Sequence, residues 1–336
     1  MRIAVDAMGG DFAPDAVVSG CIAAAEEIDC EIALVGDPAA IRRCAEGRLS
    51  NKMEIVEAAE VIEMTESPVD ALRKKKNSSL AVAAAMVKDQ RADAMVSAGS
   101  TGAATAAAHL LWKCLPNISR PAIATLLPSK RGRFVLIDSG ATPDADARNL
   151  LEFAVMGACY AETILGVSRP RIGLMNIGSE EQKGTLMLKQ AYKVFKAVFP
   201  EFGGNIEGKD MFNGEFDVVV CDGFVGNVAL KTTEGAGDLF WHFLKQATPK
   251  NPVSRLIVGL LMRKGIMKLR KDTDYAEVGG APLLGVNGLC MICHGHSNAK
   301  AIKNAMLVTY RGLQTRLNHL IAERAARIPR EMDNAS

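Results

Sequence analysis

The feature that most constrains the fold is a pattern that occurs five times along the chain. Each time a short apolar run, a tip of glycine and small polar residues, and a helix-forming run follow one another. Runs of this length are typical of buried strands, and strands alternating with helices indicate a largely parallel sheet covered by helices. The sequence therefore predicts an α/β protein. The five predicted strands that end in such tips are Ile3–Asp6, Asp93–Ser97, Arg133–Asp138, Arg171–Ile177 and Phe216–Cys221; Glu31–Val35 and Met53–Val56 are predicted strands without them.

The tips of these strands are the predicted site. In parallel sheets the carboxyl ends of the strands share one edge, and ligands bind at that edge. We therefore expect one crevice, lined by Asp6, Ser100, Asp138, Lys183, Asp222, Asn227 and Lys231. The other candidate substrate-binding residues in the same tips are Gly9, Gly10, Thr101, Gly102, Glu181, Gly223 and Gly226.

The tip after Phe216–Cys221 has the composition of an anion site. Gly223 and Gly226 allow backbone to approach a ligand, and Asn227 is a suitable N-cap for a helix from Val228 onward. Lys231 then lies about one turn into that helix. Unpaired N–H groups and the helix dipole favour an anion at such a tip.

A second charged tip, Asn176–Gly184, contains two carboxylates and Lys183. Its lysine could bind an anion or stabilise an oxyanion. A solvated charged loop is the alternative, and the sequence leaves both open.

The segment 250–272 is predicted to be an amphipathic helical hairpin within a single 1–336 domain. Such a basic, amphipathic segment suits a membrane surface or an acidic protein partner, although an ordinary packed helix pair has the same pattern. Residues 329–336 are predicted to be a loose tail. The candidate contact residues of the hairpin are Val253, Ile257, Leu260, Leu261, Arg263, Lys264 and Lys268.

Composition and motifs exclude several functions. A net charge of +2 and an aromatic content of 5% argue against nucleic-acid binding. The chain lacks the glycine-rich dinucleotide and nucleotide-phosphate motifs, so no nucleotide cofactor is expected. Cys290–His294 fits a haem-attachment pattern but is interpreted as a buried strand, and no metal is expected. The N-terminus has no signal-peptide pattern, which predicts a cytoplasmic protein.

Ser100 supports an alternative function. Ala98–Gly102 resembles a nucleophile elbow, and Asp222 followed by His294 or His296 completes the order of a catalytic triad. A serine hydrolase or thioesterase is therefore the alternative enzyme. A non-catalytic module that binds acyl carrier protein is a third possibility.

Several stretches, in order along the chain, resemble the bacterial phosphate acyltransferase family of phospholipid synthesis (PlsX). They are Val5–Asp11, Val96–Ala103, Asn176–Gly184, Asp222–Gly235, Gly279–Gly285 and His294-Gly295. The resemblance implies a three-layer α/β/α sandwich like that of phosphotransacetylases and isopropylmalate dehydrogenases. It also implies a homodimer that associates peripherally with the membrane and uses no cofactor.

The implied reaction is the conversion of acyl-acyl carrier protein and inorganic phosphate into acyl phosphate. Within it, Gly223–Asn227 and Lys231 are expected to bind phosphate, while Lys183 and Asn227 contact the carbonyl oxygen or phosphate. His294 is expected to protonate the leaving thiolate. Contact with the downstream glycerol-3-phosphate acyltransferase is left open.

Overall fold

The structure is a computed structural model that describes residues 1–247 and 275–328. Its strands form one sheet of 11 strands in the order β3-β2-β1-β4-β11-β10-β5-β6-β9-β7-β8. The strands are β1 (Arg2–Asp6), β2 (Glu31–Gly36), β3 (Met53–Glu57), β4 (Ala94–Ser97), β5 (Ala122–Ser129), β6 (Gly132–Ile137), β7 (Ile172–Met175), β8 (Phe202–Ile206), β9 (Val218–Val220), β10 (Ala281–Leu284) and β11 (Leu289–Ile292).

Helices cover both faces of this sheet. Those in the described residues are α1 (Asp15–Ala25), α2 (Pro38–Ala45), α3 (Pro68–Lys74), α4 (Ser79–Lys88), α5 (Thr101–Trp112), α6 (Ala147–Tyr160), α7 (Leu186–Val198), α8 (Gly223–Ala247), α9 (Ala299–Gln314) and α10 (Leu317–Ala325). The predicted α/β fold is thus confirmed.

The expectation that all strand ends share one edge is wrong. Three successive antiparallel pairings, β11–β10, β10–β5 and β5–β6, separate two parallel groups of strands. The first group contains β1, β2, β3, β4 and β11, and the second contains β6, β7, β8 and β9. Because three reversals are an odd number, the two groups run in opposite directions.

The two groups are also offset along the strands, which brings their carboxyl ends to a similar height. Asp138, just beyond β6, accepts a hydrogen bond from the N–H of Ile123. Ile123 is paired with Leu283, and Leu283 with Cys290 in the middle of β11. The tips of the two groups therefore point in opposite directions but lie at nearly the same level along the strands.

Alternating residues of the strands supply the cores on the two faces. Ile3 and Val5 of β1 pack in one cluster with α1, α6 and α9, whereas Ala4 packs on the other face with α4 and α5. A third cluster around Phe134 and Val219 supports the first turns of α8 through Ala229 and Leu230.

One predicted helix boundary is wrong. The helix after β9 begins at Gly223 instead of Val228, so Asn227 is a helical residue and not the N-cap. At the C-terminal end, Arg316 has the left-handed backbone (φ 51°) and separates α9 from α10. The predicted hairpin at 250–272 and the tail at 329–336 lie outside the described residues.

Candidate functional site

Asp6 shapes the first tip. Its buried carboxylate accepts a hydrogen bond of 2.7 Å from Ser97 Oγ, which in turn accepts one from the N–H of Gly99. Burial raises the pKa of Asp6 above its usual value, against the effect of its hydrogen bonds. A Cβ atom on Gly9 would lie 2.5 Å from Asp6 Oδ2, so only glycine fits there. Asp6 therefore fixes the ends of β1 and β4 against each other.

The next residues join this tip to the end of β11. The N–H of Asp11 donates to the carbonyl oxygen of Gly295 over 2.9 Å. The Asp11 carboxylate contacts the ring of His296, which stacks on the ring of His294. The tip of β1 is thereby connected to both histidines.

The start of α5 offers free hydrogen-bond donors to the site. Ser100 is the N-cap, and its Oγ accepts from the N–H of Ala103 over 3.3 Å. The exposed Thr101 and Gly102 follow, and no acceptor in the described part of the chain meets their N–H groups. Such a helix start is an anion-binding position.

Asp138 organises the tip of the second group. Its fully buried carboxylate accepts four backbone N–H groups, from Ile123, Gly140, Ala141 and Thr142, at 2.7–3.1 Å. Burial raises the pKa of Asp138 although these hydrogen bonds oppose the shift. Because its oxygens are fully engaged, Asp138 holds the loop 139–142 in place and is not available to a ligand.

The first turn of α8 packs tightly on this loop. A Cβ atom on Gly226 would overlap the carbonyl oxygen of Asp138, and one on Gly223 would lie 2.8 Å from Asp138 Oδ2. Asp222 caps the helix, since its Oδ1 accepts from the N–H of Val225 over 2.9 Å. The N–H of Gly223 donates to Thr142. Most donors of the predicted anion site at Gly223–Asn227 are therefore already used.

Asn227 and Lys231 lie further along α8 and remain accessible. The side chain of Asn227 is exposed and lies against Gly140. A Cβ atom built on Gly140 would be 3.7 Å from the Asn227 amide. Lys231 forms an ion pair of 2.8 Å with Glu234. Burial, followed by the charge of Lys231, lowers the pKa of His294. The positive charge of Lys231 on α8 thus acts on the histidine tip of the first group.

Lys183 lies in the loop after β7, which belongs to the second strand group, as does β9 before α8. It is half-exposed and lies 3.8 Å from Glu180, while Glu181 pairs with Lys196 instead. Asn176 holds the loop by donating to the carbonyl oxygen of Lys183. The register of β7 on β9 places this loop beside the end of β9. No hydrogen bond or ion pair in the described part of the chain joins Lys183 to Asn227 or Lys231.

The catalytic triad considered from the sequence is not assembled. Ser100 Oγ accepts the helix N–H of Ala103, and the Asp222 carboxylate accepts that of Val225. Neither side chain contacts a histidine within residues 1–247 and 275–328. Both residues act as helix caps.

Sequence reasoning missed two residues that connect the tips. Ser97, the last residue of β4, bonds Asp6, and Asp11 contacts His296, but neither is more than one polar residue at the end of a strand or in a turn. The adjoining glycines were the available indication, because they mark where backbone segments come close together.

The described residues contain no group of three or more histidine, cysteine or acidic residues that could hold a metal ion. Nor does any helix within residues 1–247 and 275–328 have the length and hydropathy required to cross a bilayer.

Comparison with known proteins decides the family. A family model described as "Fatty acid synthesis protein" matches residues 1–319. The phosphate acyltransferase of Heliobacterium modesticaldum is 50% identical over 317 residues and covers 94% of each chain. That of Geobacter sulfurreducens is 43% identical over 326 residues and covers 96% of this chain and 94% of the relative. The chain belongs to this family. It is a phosphate acyltransferase of fatty acid and phospholipid synthesis, as the sequence predicted.

Solved structures agree on the fold. A phosphotransacetylase from Streptococcus pyogenes superposes with a TM-score of 0.63 at 18% identity, and 94% of each chain is covered. A phosphotransacetylase from Staphylococcus aureus gives a TM-score of 0.58 at 15% identity over 93% of each chain. The predicted phosphotransacetylase-like architecture is confirmed.

Proposed function

We propose that this enzyme transfers the acyl group of acyl-acyl carrier protein to inorganic phosphate, supplying acyl phosphate for phosphatidic acid synthesis. A phosphate oxygen attacks the thioester carbonyl carbon, the carbon–sulfur bond breaks, and the thiolate leaves and takes up a proton. The observation that carries the proposal is the match to phosphate acyltransferases along nearly the whole chain, together with the free N–H groups at the start of α5. Phosphate is itself the nucleophile, so the site needs to position it and to stabilise the oxyanion.

We place phosphate at the start of α5, facing Asn227 and Lys231. The free N–H groups of Thr101 and Gly102 support this position. The start of α8 suits phosphate less, because Asp222 places a carboxylate there and engages the N–H of Val225. This assignment moves the phosphate from Gly223–Asn227 to α5 and keeps Asn227 and Lys231 as ligands.

The lowered pKa of His294 changes its proposed role. Near neutral pH the imidazole is neutral, so it acts as a hydrogen-bond donor to the carbonyl oxygen or leaving sulfur. A neutral imidazole can donate this hydrogen bond through its one N–H group. The thiolate then takes its proton from phosphate or from water.

Lys183 is proposed to act from the second group of strands. The loop 176–184 keeps it next to the end of β9, half-exposed and only weakly paired with Glu180. A flexible, solvated cation there can reach the phosphate or the acidic carrier protein when the substrates bind.

A thioester assay tests the reaction and separates the alternatives. Thiol release from acyl-acyl carrier protein is measured with and without inorganic phosphate, together with acyl phosphate formation. Phosphate-dependent release with acyl phosphate as the product supports the acyltransferase. Release without phosphate supports a thioesterase, and binding without release supports a carrier-binding module.

Single substitutions then test the residue roles. Asn227→Ala, Lys231→Gln and Lys183→Ala are each expected to lower kcat/KM for phosphate at least tenfold, since each removes a group that contacts phosphate or the oxyanion. Lys245→Gln is the matched control, because it removes an exposed charge from the far end of the same helix. Near-normal kinetics in all three site variants would contradict the assignment.

We further propose that the enzyme is a homodimer that associates with the cytoplasmic membrane surface. The basic, apolar sequence of segment 250–272 supports membrane association. Leu260→Glu combined with Leu261→Glu is expected to abolish sedimentation with anionic liposomes while turnover in solution continues. Sedimentation equal to that of the unsubstituted enzyme would count against this.

A further inference from the structure

A cavity lies at the end of the first strand group that is remote from the candidate site. Its volume is about 640 Å³, within the usual range for small-molecule pockets. It is formed where β4 and β11 begin and where α5 ends, whereas the site lies where β4 and β11 end and α5 begins. The lining residues that matter here are Lys88, Gln90, Asp93, Trp112, Asn287 and Arg316.

The cavity has an excess of positive charge that is not neutralised within the fold. Lys88 and Arg316 are exposed, and neither has an ion pair among the described residues. Leu317, Asn318 and His319, the first residues of α10, also line the cavity. Arg316 precedes the helix without a side-chain cap, so the positive end of the helix dipole faces the cavity unscreened. These features favour an anionic group.

The remaining polar groups suit hydroxyl groups. No hydrogen bond in the described part of the chain engages the side-chain amides of Gln90 and Asn287. Asp93 Oδ2 accepts the N–H of Arg2 and leaves the other carboxylate oxygen available. The amides can both donate to and accept from sugar hydroxyls, and the carboxylate of Asp93 can accept from them. The apolar part of the lining, Leu289 and Leu313, can contact the carbon face of a sugar ring.

A nucleobase fits the lining poorly. Trp112 is the one tryptophan, tyrosine or phenylalanine in this lining, and it is only 5% exposed. Its indole N–H is occupied by the carbonyl oxygen of Ala84 over 2.8 Å. A base would therefore find no open aromatic face on which to stack.

We propose that this cavity binds a sugar phosphate, with the phosphate between Lys88 and Arg316 and the hydroxyls at Gln90, Asp93 and Asn287. The phosphate dianion balances the two cations, and the polar side chains orient the sugar. The site is independent of the acyl-transfer site, with which it shares no lining residue.

The chain offers a local probe of this cavity. It has two tryptophans, Trp112 in the cavity wall and Trp241 on α8, so Trp241→Phe leaves Trp112 as the sole tryptophan. The emission of Trp112 in the full-length enzyme is followed while glucose 6-phosphate or ribose 5-phosphate is added. Inorganic phosphate is kept at one constant concentration throughout to occupy the proposed acyl-transfer site. Calorimetry of the same titrations gives the affinity independently.

Paired variants localise the binding. Lys88→Gln combined with Arg316→Asn removes both cations, and asparagine tolerates the left-handed backbone at position 316. The control combines Arg91→Gln with Lys113→Asn, which also removes two positive charges. Both residues are exposed and lie outside the lining, and Lys113, like Arg316, has a positive φ. The first pair is expected to weaken binding of the sugar phosphate at least tenfold, and the control pair to leave it within twofold.

Each outcome decides the proposal. Saturable binding of either sugar phosphate that only the Lys88 and Arg316 pair weakens supports it. The absence of saturable binding, equal weakening by both pairs, or an equal response to glucose alone overturns it. Tenfold tighter binding of AMP than of ribose 5-phosphate also overturns it, because the base would then be the recognised group. Loss of acyl transfer in Lys231→Gln with sugar phosphate binding retained shows that the two sites are separate.

Discussion

The buried carboxylates of the tips hold neighbouring segments of the protein in place. Asp138 accepts four backbone N–H groups, and Asp6 accepts the hydroxyl of Ser97, which in turn accepts the N–H of Gly99. The sequence placed both acids correctly at strand ends but could not reveal this role, because it depends on which N–H groups the fold turns toward them. The residues proposed to contact the substrates, Thr101, Gly102, Asn227 and Lys231, are exposed instead.

Gly226 provides a test of the packing between α8 and the Asp138 loop. In Gly226→Ala the new methyl group would overlap the carbonyl oxygen of Asp138, so the helix must move and carry Asn227 with it. We expect kcat/KM for phosphate to fall at least tenfold and the free energy of unfolding to fall by about 1–3 kcal/mol. Steady-state kinetics and urea denaturation measure the two effects.

The matched control is Gly235→Ala on the same helix. A Cβ atom at Gly235 meets no atom within 4 Å, so alanine adds only helix propensity, worth up to about 1 kcal/mol. Unchanged kinetics are expected there. Equal effects of the two substitutions would show that the contact with Asp138 does not matter.

His294 should report its neighbours through its titration. Burial and the charge of Lys231 lower its pKa below 6.5. The folded protein therefore disfavours the protonated ring, and the contribution of His294 to stability is complete above pH 6.5 and is lost as pH falls below that value. NMR titration of the ring in Lys231→Gln should give a higher pKa than in the unsubstituted enzyme, because one positive neighbour is removed. The same titration in Lys245→Gln should be unchanged, and an unaltered pKa in Lys231→Gln would separate α8 from the histidine tip.

At the scale of elements, α8 shows where local signals compete. Asp222 and Asn227 are both suitable N-caps, and Gly223 and Gly226 lower helix propensity between them. The sequence pattern consequently placed the helix start at Val228. The true start at Gly223 depends on tertiary contact, because only glycine fits against the loop of Asp138 and Thr142.

The attachment of α6 to the loop before β5 gives an element-scale prediction. The fully buried Glu152 accepts hydrogen bonds from the N–H and Oγ of Ser119 and from Arg148 Nε. Glu152→Ala leaves these donors unpaired and should lower the free energy of unfolding by about 3 kcal/mol in urea denaturation. Glu323→Ala removes an exposed ion pair with Arg327 and should change it by less than about 0.5 kcal/mol. A comparable loss in both variants would refute a special role for Glu152.

For the whole molecule, the sequence predicted the fold class and most strands but not their directions. The two strands that reverse the sheet, β5 and β10, carry none of the Gly-rich tips that marked the other strands. Their orientation follows from pairing between distant segments, such as Leu283 with Ile123, which no local pattern encodes. The candidate site was consequently predicted as one edge, whereas it lies between two opposed groups of tips.

The exposed face of α8 supports the final prediction, which concerns the proposed homodimer. Leu239, Phe240 and Phe243 are 53%, 52% and 57% exposed, although apolar side chains at helical spacing usually pack against a partner. A second copy of the chain is the proposed partner. In Leu239→Glu combined with Phe243→Glu, burial of two carboxylates would oppose association, so sedimentation velocity should show a monomer at micromolar concentration. Lys245→Glu changes the charge by the same two units on the opposite side of this helix and should remain dimeric. A dimer that persists in the first variant would place the interface elsewhere, and a monomeric unsubstituted enzyme would refute the dimer itself.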